Sequence, residues 1–310
     1  GNDILYDESQ IEQGRNFGNK IWNAFRLITG WTVDASLEQS DACEVAVKWF
    51  GNKLNAVTAE VNDHFAKFRI SDALMAVYKF FWDDFCAWYL ELVKPAYGSP
   101  IDAKTYEATL EFFEDLLKMI HPIMPFITEE LWHAVRERGE NETIMFERYP
   151  VAGESDAEYI AAFGLATEVV AGIRNIRQQK GLSPKEPLKA YFVGDFSKEM
   201  GPVVVKLANV SEIQHVTTID ESLAGVSFMA GTVKVFVPFD GLVDATEEIA
   251  KLEGELKYLQ GFLKSVRGKL SNEKFVSHAP EAVVAAERKK EADALSKIES
   301  IEHSLKALKA

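Results

Sequence analysis

The stretch Ile249–Leu270 reads IAKLEGELKYLQGFLKSVRGKL, and its apolar positions decide how the chain is built at this end. Ile249, Leu252, Leu256, Leu259, Leu263, Val266 and Leu270 follow one another at alternating intervals of three and four, an unbroken heptad seam. A second seam runs through Ala294, Ile298, Ile301, Leu305 and Leu308. Between them lies Ser271 to Pro280, which leaves room only for a reversal. Two facing seams and a short connection predict an antiparallel coiled-coil hairpin over residues 242–310. At a rise of 1.5 Å per residue its first arm is about 33 Å long.

Working outward, the charge is uneven. The 310 residues hold 34 Lys plus Arg against 48 Asp plus Glu, a formal net charge of −14. Residues 241–310 carry 12 basic and 12 acidic groups, so the whole negative excess lies upstream. Within the neutral tail, Lys257, Lys264, Arg267, Lys269, Lys274, Arg288, Lys289 and Lys290 face only Glu273, Glu281 and Glu287. A hairpin that needed only solubility would mix both signs along its length, so this excess favours a binding arm over a spacer. Two further strips carry no acid: Arg15, Lys20 and Arg26 in residues 13–33, and Arg174, Arg177, Lys180 and Lys185 in residues 169–185. Three basic strips on an acidic body suit a polyanion held at chosen places. They are also compatible with ordinary surface patterning, and charge alone does not separate the two.

Composition excludes whole classes. With 47% hydrophobic and 26% charged residues the chain is globular rather than disordered or fibrous. No apolar run of about 18 residues exists, so no membrane helix is predicted. The start lacks a basic segment followed by an apolar one, so no secretion signal is read. Cys43 and Cys86 are too far apart for a CxxC zinc pair or a disulfide framework, which fits a reducing, cytoplasmic location. The chain opens at Gly1 rather than Met and is expected to be a piece of a longer protein.

Upstream of the hairpin the fold is expected to be mainly α. Residues 1–150 read as a bundle of antiparallel helices near 8–30, 40–67, 71–94, 103–121 and 125–138, followed by an extended stretch at 143–149. Residues 151–241 read as a small α+β unit. It has helices at about 156–180 and 197–208, strands at 188–193 and 212–217, and a hairpin at 225–229 and 232–237 turned at Ala230-Gly231. Val233, Val235 and Val237 alternate with Lys234 and Phe236, the period-2 pattern of a half-buried strand. The aromatic run Phe81–Leu90 reads as the central core helix of the bundle, with Asp83, Asp84 and Glu91 toward solvent.

Sites for chemistry are sparse. No GxxxxGK[ST] or GxGxxG loop is present, and the six histidines form no HxxxH or HExxH pair, so no metal site is read. Glu129, Glu130 and His133 share a helix and form either an acid/base cluster or, as favoured, a solvated face. No catalytic residue is assigned. The first helix is more informative. At 100° per residue, Arg15, Asn19, Trp22, Asn23 and Arg26 fall within about 100° of one another, opposite the apolar stripe Phe17, Ile21, Ala24, Phe25 and Ile28. Arg and Asn supply hydrogen bonds to phosphates and base edges, and an indole offers a plane to an unstacked base. The same face would also serve to pack against a neighbouring helix or domain.

Several of these residues carry a resemblance. Gly14-Arg15-Asn16-Phe17, with Asn19-Lys20-Ile21-Trp22-Asn23-Ala24 and Arg26, resembles the helix that follows the catalytic domain in the class I aminoacyl-tRNA synthetases for Val, Ile and Leu. Phe85-Cys86-Ala87-Trp88-Tyr89-Leu90-Glu91 with Lys94-Pro95, and His121-Pro122-Ile123-Met124-Pro125-Phe126-Ile127-Thr128-Glu129-Glu130-Leu131-Trp132, resemble later signatures of the same anticodon-binding bundle. Ile173-Arg174-Asn175-Ile176-Arg177 with Pro184 and Pro187-Leu188 resembles the junction beyond it. Lys269-Leu270-Ser271-Asn272-Glu273-Lys274-Phe275-Val276 and Ala279-Pro280-Glu281-Ala282-Val283-Val284 resemble the reversal of the C-terminal coiled coil of the valyl-tRNA synthetases.

The resemblance implies a helical anticodon-binding domain (1–150), a small α+β junction domain (151–241) and a C-terminal antiparallel coiled-coil tRNA-binding arm (242–310). It implies a valine-accepting tRNA as partner, bound at its anticodon arm and outer corner. The parent would join valine to tRNA with ATP and magnesium, in catalytic and editing domains whose HIGH-type and KMSKS-type signatures are absent from this sequence. The fragment itself would need no cofactor, catalyse nothing, touch no membrane and act as a monomer. Expected anticodon-arm residues are Arg15, Asn19, Trp22, Asn23 and Arg26, named from the helical wheel. Outer-corner candidates are Lys264, Arg267, Lys269, Lys274, Arg288, Lys289 and Lys290; Arg174, Arg177 and Lys180 form the junction strip. The competing readings are a non-catalytic helical scaffold with a coiled-coil dimerisation tail and the equivalent fragment of an isoleucine or leucine enzyme.

Overall fold

The computed structural model describes residues 7–139, 141–220, 223–239 and 245–271, with single residues and pairs between 284 and 302. They fall into two compact units, one of residues up to 174 plus 196–210, the other of residues 175–195 and those from 211 onward.

The first unit is the helical bundle. Helix α1 (Glu8–Thr29) starts where the Asp7 carboxylate accepts the Ser9 amide at 2.9 Å, and it ends at Gly30. A loop containing β1 (Val33–Asp34) leads to α2 (Asp41–Ala66), whose N-terminus Ser40 caps. After a tight turn come α3 (Ile70–Lys79), a π-helical stretch (Phe80–Tyr89) and α4 (Leu90–Val93). Strand β2 (Ile101–Asp102) pairs in parallel with β1, matching Val33 to Ile101 and Asp34 to Asp102. Then follow α5 (Ala103–Ile120), capped by Asp102 on the Thr105 amide at 2.7 Å, and α6 (Pro125–Val135), with proline in its first turn. The helix boundaries lie within a few residues of those set by periodicity and the Pro and Gly breaks.

The core is aromatic. Phe50 of α2 is fully buried, with the rings of Phe80 and Tyr89 at 4.8 Å and Phe112 at 5.0 Å. The residues read as one helix over 71–94 split where the π-helical stretch begins. At the end of that stretch the Leu90 amide bonds the Phe85 carbonyl, five residues back. The reason is visible at Phe50, which touches both Phe80 and Phe85. Five residues apart on an α-helix, those rings would diverge by about 140°; the wider turn aligns them. As expected, Phe81, Phe85, Cys86, Tyr89 and Leu90 are buried and Asp83 is exposed. Asp84 is half-buried, 3.7 Å from Lys53, and burial raises its pKa.

The expected extended stretch at 143–149 differs. Ile144–Phe146 is a 3-10 turn, because the Thr143 hydroxyl accepts the Met145 amide and donates to Glu129 of α6 at 2.7 Å. Helix α7 (Ala157–Lys180) begins in this unit, where Phe163 stacks on Trp49 at 3.8 Å. Helix α8 (Gly201–Ala208) completes it.

The second unit holds a four-stranded sheet ordered β4-β3-β6-β5, from β3 (Leu188–Val193), β4 (Val210–His215), β5 (Gly225–Ala230) and β6 (Val233–Pro238). Phe236, expected on the exposed side of β6, is buried. It pairs across with Tyr191 of β3, and its ring lies over Gly225, where a Cβ would collide with it. Helix α9 (Ala245–Leu270) carries the first seam. Leu263 and Val266 are buried, as are Ala294 and Ile301 of the second. The reversal beyond Ser271, and Leu305 and Leu308, lie outside the described residues. Among the described residues no helix is long and apolar enough to cross a membrane.

Candidate nucleic-acid interface

Helix α1 turns Phe17, Ile21, Ala24 and Ile28 into the core, with Phe25 half-buried. Arg15, Asn19, Trp22, Asn23 and Arg26 are all exposed on the other side. Trp22 is 42% exposed and tilts against Phe25 with ring centres 5.7 Å apart. Arg15 pairs with Glu12 at 3.4 Å, an exposed pair that opens at little cost. Lys20 leaves this face and lies 5.1 Å over the Trp82 ring.

At its C-terminal end the α1 face meets a cleft of about 540 Å³ that residue patterns did not reveal. One wall is Arg26, Leu27 and Gly30–Thr32; the other is Lys94–Ser99. The β1–β2 pairing brings these loops together, with the Ile101 amide donating to the Thr32 carbonyl at 2.9 Å. Gly98, at φ +77°, makes the turn that leaves Tyr97 fully exposed. Two basic side chains, Arg26 and Lys94, the latter paired with Glu91 at 2.5 Å, thus line the cleft with two aromatic residues, Trp31 and Tyr97. The sequence signal for this was only a Pro- and Gly-bounded tyrosine, and nothing in it paired that tyrosine with α1.

The junction strip is engaged internally. The Arg174 guanidinium donates to the Leu207 carbonyl at 3.1 and 2.9 Å, closing the end of α8. Arg177, only 5% exposed, donates to the Ser183 carbonyl at 2.8 Å, and burial lowers its pKa. The Lys180 ammonium lies 5.6 Å over the Phe239 ring.

On the arm, Lys264, Arg267, Lys269, Arg288 and Lys290 are exposed, while Lys274 and Lys289 lie outside the described residues. Arg267 pairs with Glu291 at 2.7 Å, and Glu287 lies 2.7 Å from Lys290 and 3.7 Å from Lys269. The hydrogen bond from Lys290, then the charge of Lys269, holds the Glu287 carboxyl below its ordinary range. Lys264 has no ion pair among the described residues.

The Glu129–His133 group makes a local brace: His133 Nε2 is 3.1 Å from Glu129, whose second oxygen accepts from Thr143, while Glu130 stays exposed. Cys43 and Cys86 are buried free thiols, and burial pushes Cys86 up to about 12. Among the described residues no three His, Cys, Asp or Glu side chains converge as metal ligands.

Residues 47–192 match the family model of the anticodon-binding domain of tRNA ligase, and residues 244–309 match that of the valyl-tRNA synthetase tRNA-binding arm. The valine–tRNA ligase of Parabacteroides distasonis is 52% identical over 309 residues, which is 99% of this chain and 35% of that ligase. That of Phocaeicola vulgatus is 51% identical over 310 residues, again 35% of its length. The Fusobacterium nucleatum ligase is 34% identical over 325 residues, 36% of its length.

The chain belongs to the valine–tRNA ligase family. It matches the C-terminal part of these ligases and spans about 35% of their length. The arm model is the valyl one, which separates this chain from the isoleucine and leucine enzymes. Within the ligase pattern the Lys94–Ser99 wall of the cleft falls inside the anticodon-binding match, whereas α1 precedes it.

Proposed function

We propose that this chain is the tRNA-recognising part of a valine–tRNA ligase. It binds a valine-accepting tRNA at the anticodon arm through the bundle and at the outer corner through the arm. The ATP- and magnesium-dependent joining of valine to tRNA, and its proofreading, belong to catalytic and editing domains outside these residues. The observation that carries the reading is the cleft at the end of α1, with Arg26 and Lys94 beside Trp31 and Tyr97. Cations there neutralise phosphates, and an exposed ring such as that of Tyr97 accepts a base splayed from a single-stranded loop, the part of an RNA that side chains can read.

For the arm, the descending order of its ion pairs supports an antiparallel hairpin: position 267 meets 291, and 269 meets 287. A hairpin of this kind needs only shape and phosphate contact. In this reading residues 1–150, 151–241 and 242–310 form three successive domains of a cytoplasmic, monomeric ligase.

The test is titration of the chain with tRNA for valine and with the same tRNA carrying another anticodon. The reading expects tighter binding of the first. Equal affinities for both, or for an unrelated RNA hairpin, would refute it, and a tRNA-indifferent chain that dimerises through its seams would establish the scaffold instead.

A further inference from the structure

The two ends of the helical bundle differ in chemistry. Helix α3 runs in the same direction as α1, since two reversals separate them, and Phe17 meets Tyr78 and Phe81. Met124 and Ile127 lie against Gly18, which sets the start of α6 beside the same level of α1. Residues that precede Tyr78 and Ile127 therefore lie toward the beginning of α1, away from the cleft. That end is apolar and open. Phe68 is 89% exposed and Phe126 91%, and Ile70 and Met75 are exposed with them. The Phe65 and Tyr149 rings, 6.2 Å apart, tie the segment carrying Met145 and Phe146, both exposed, to the last turn of α2.

Phe68 is held out at a conformational cost. The Arg69 amide bonds the His64 carbonyl at 2.8 Å, closing α2 with a left-handed residue at φ +58°. Glycine is the usual occupant of that position, and a bulky side chain there is strained. Bundles rarely leave so many large apolar side chains together in water unless something covers them.

We propose that this end is the docking surface for the upstream body of the ligase. The proposal rests on membership of the valine–tRNA ligase family, whose matched members extend well beyond the part this chain covers. That upstream part joins the chain through the start of α1, so it is tethered at the apolar end. Acids and bases at the α2–α3 turn are mixed, with Lys67 paired to Asp63 at 2.6 Å, so the surface does not suit a polyanion.

Thiol labelling tests it. Phe68→Cys and Phe126→Cys variants are made in this 310-residue chain, where Cys43 and Cys86 are buried, and in the full-length ligase, and labelling is read from the peptides that carry positions 68 and 126. Free reactivity in the chain alone and at least tenfold slower reactivity in the ligase, without tRNA, is the expected result. Equal rates in both proteins would overturn the proposal. So would protection of the isolated chain that grows with its concentration, which means a second copy, or protection that arrives only with tRNA, which means an RNA surface. Hydrogen exchange of residues 65–75 and 121–127 in the unsubstituted proteins repeats the comparison should a variant misfold; slower exchange in the ligase supports docking, and equal exchange overturns it. Because no tRNA is needed, protection without tRNA binding would sink the proposed function and leave this inference standing.

Discussion

Replacing Glu291 by Gln should raise the affinity of this chain for tRNA. Arg267 donates to Glu291 at 2.7 Å, yet its side chain is 55% exposed, so the pair contributes little to the fold and its guanidinium is shared. With the carboxylate neutralised, the whole charge of Arg267 is free to meet a phosphate. Each such contact steepens the dependence of log affinity on log salt by about 0.7–0.9. Between roughly 50 and 200 mM salt, a slope change of about 0.8 corresponds to a factor of about three in affinity. Lys264→Gln should do the opposite, because Lys264 has no competing carboxylate among the described residues. It should flatten the slope by a similar amount, for cognate and non-cognate tRNA alike. Fluorescence anisotropy titrations at several salt concentrations, with helicity checked by circular dichroism, read both effects. If Glu291→Gln leaves affinity and slope unchanged in a folded chain, or if Lys264→Gln leaves the slope where it was, the arm makes no phosphate contact at these positions.

Trp22→Ala and Tyr97→Ala should each cost about 1–3 kcal/mol of stacking and narrow the gap between cognate and anticodon-swapped tRNA. The salt slope and thermal stability should stay unchanged, and an equal loss on both RNAs would mean the rings do not read bases. Valine-dependent ATP–pyrophosphate exchange by the purified chain should remain at background; exchange above it would place an activating site within these residues. Burial raises the pKa of Asp84, so the folded chain binds that proton more tightly than the unfolded one. Stability should therefore fall as pH climbs through the range above 3.8, and Asp84→Asn should flatten that fall in thermal melts. An unaltered profile would show that Lys53 offsets the burial.

Local spacing made much of the bundle legible. Pro125 marks the start of α6, the period of the apolar residues sets the helix spans within a few residues, and α1 shows its exposed face through simple angular arithmetic. What escaped depends on contacts between distant segments. The π-helical stretch answers to the Phe50 ring, 30 or more residues earlier, and Phe236 is buried by Gly225 and Tyr191. The cleft depends on a pairing only two residues long, too short to leave a periodic trace. In the arm, the basic excess counted over residues 257–290 overstates the free charge, because Glu291, just beyond that stretch, pairs with Arg267.

The short β1–β2 pairing has a consequence for how the cleft keeps its width. Asp102 sits in that pairing and also caps α5 through the Thr105 amide. Gln39, from the loop after β1, donates to the Thr105 hydroxyl at 3.0 Å. One turn on, the Thr109 hydroxyl bonds the Thr105 carbonyl at 2.7 Å and lies 2.8 Å from the Tyr89 hydroxyl, whose ring rests against Phe50. A continuous polar linkage thus ties both walls of the cleft to the centre of the bundle. Tyr89→Phe would remove the innermost bond of this linkage without touching either wall.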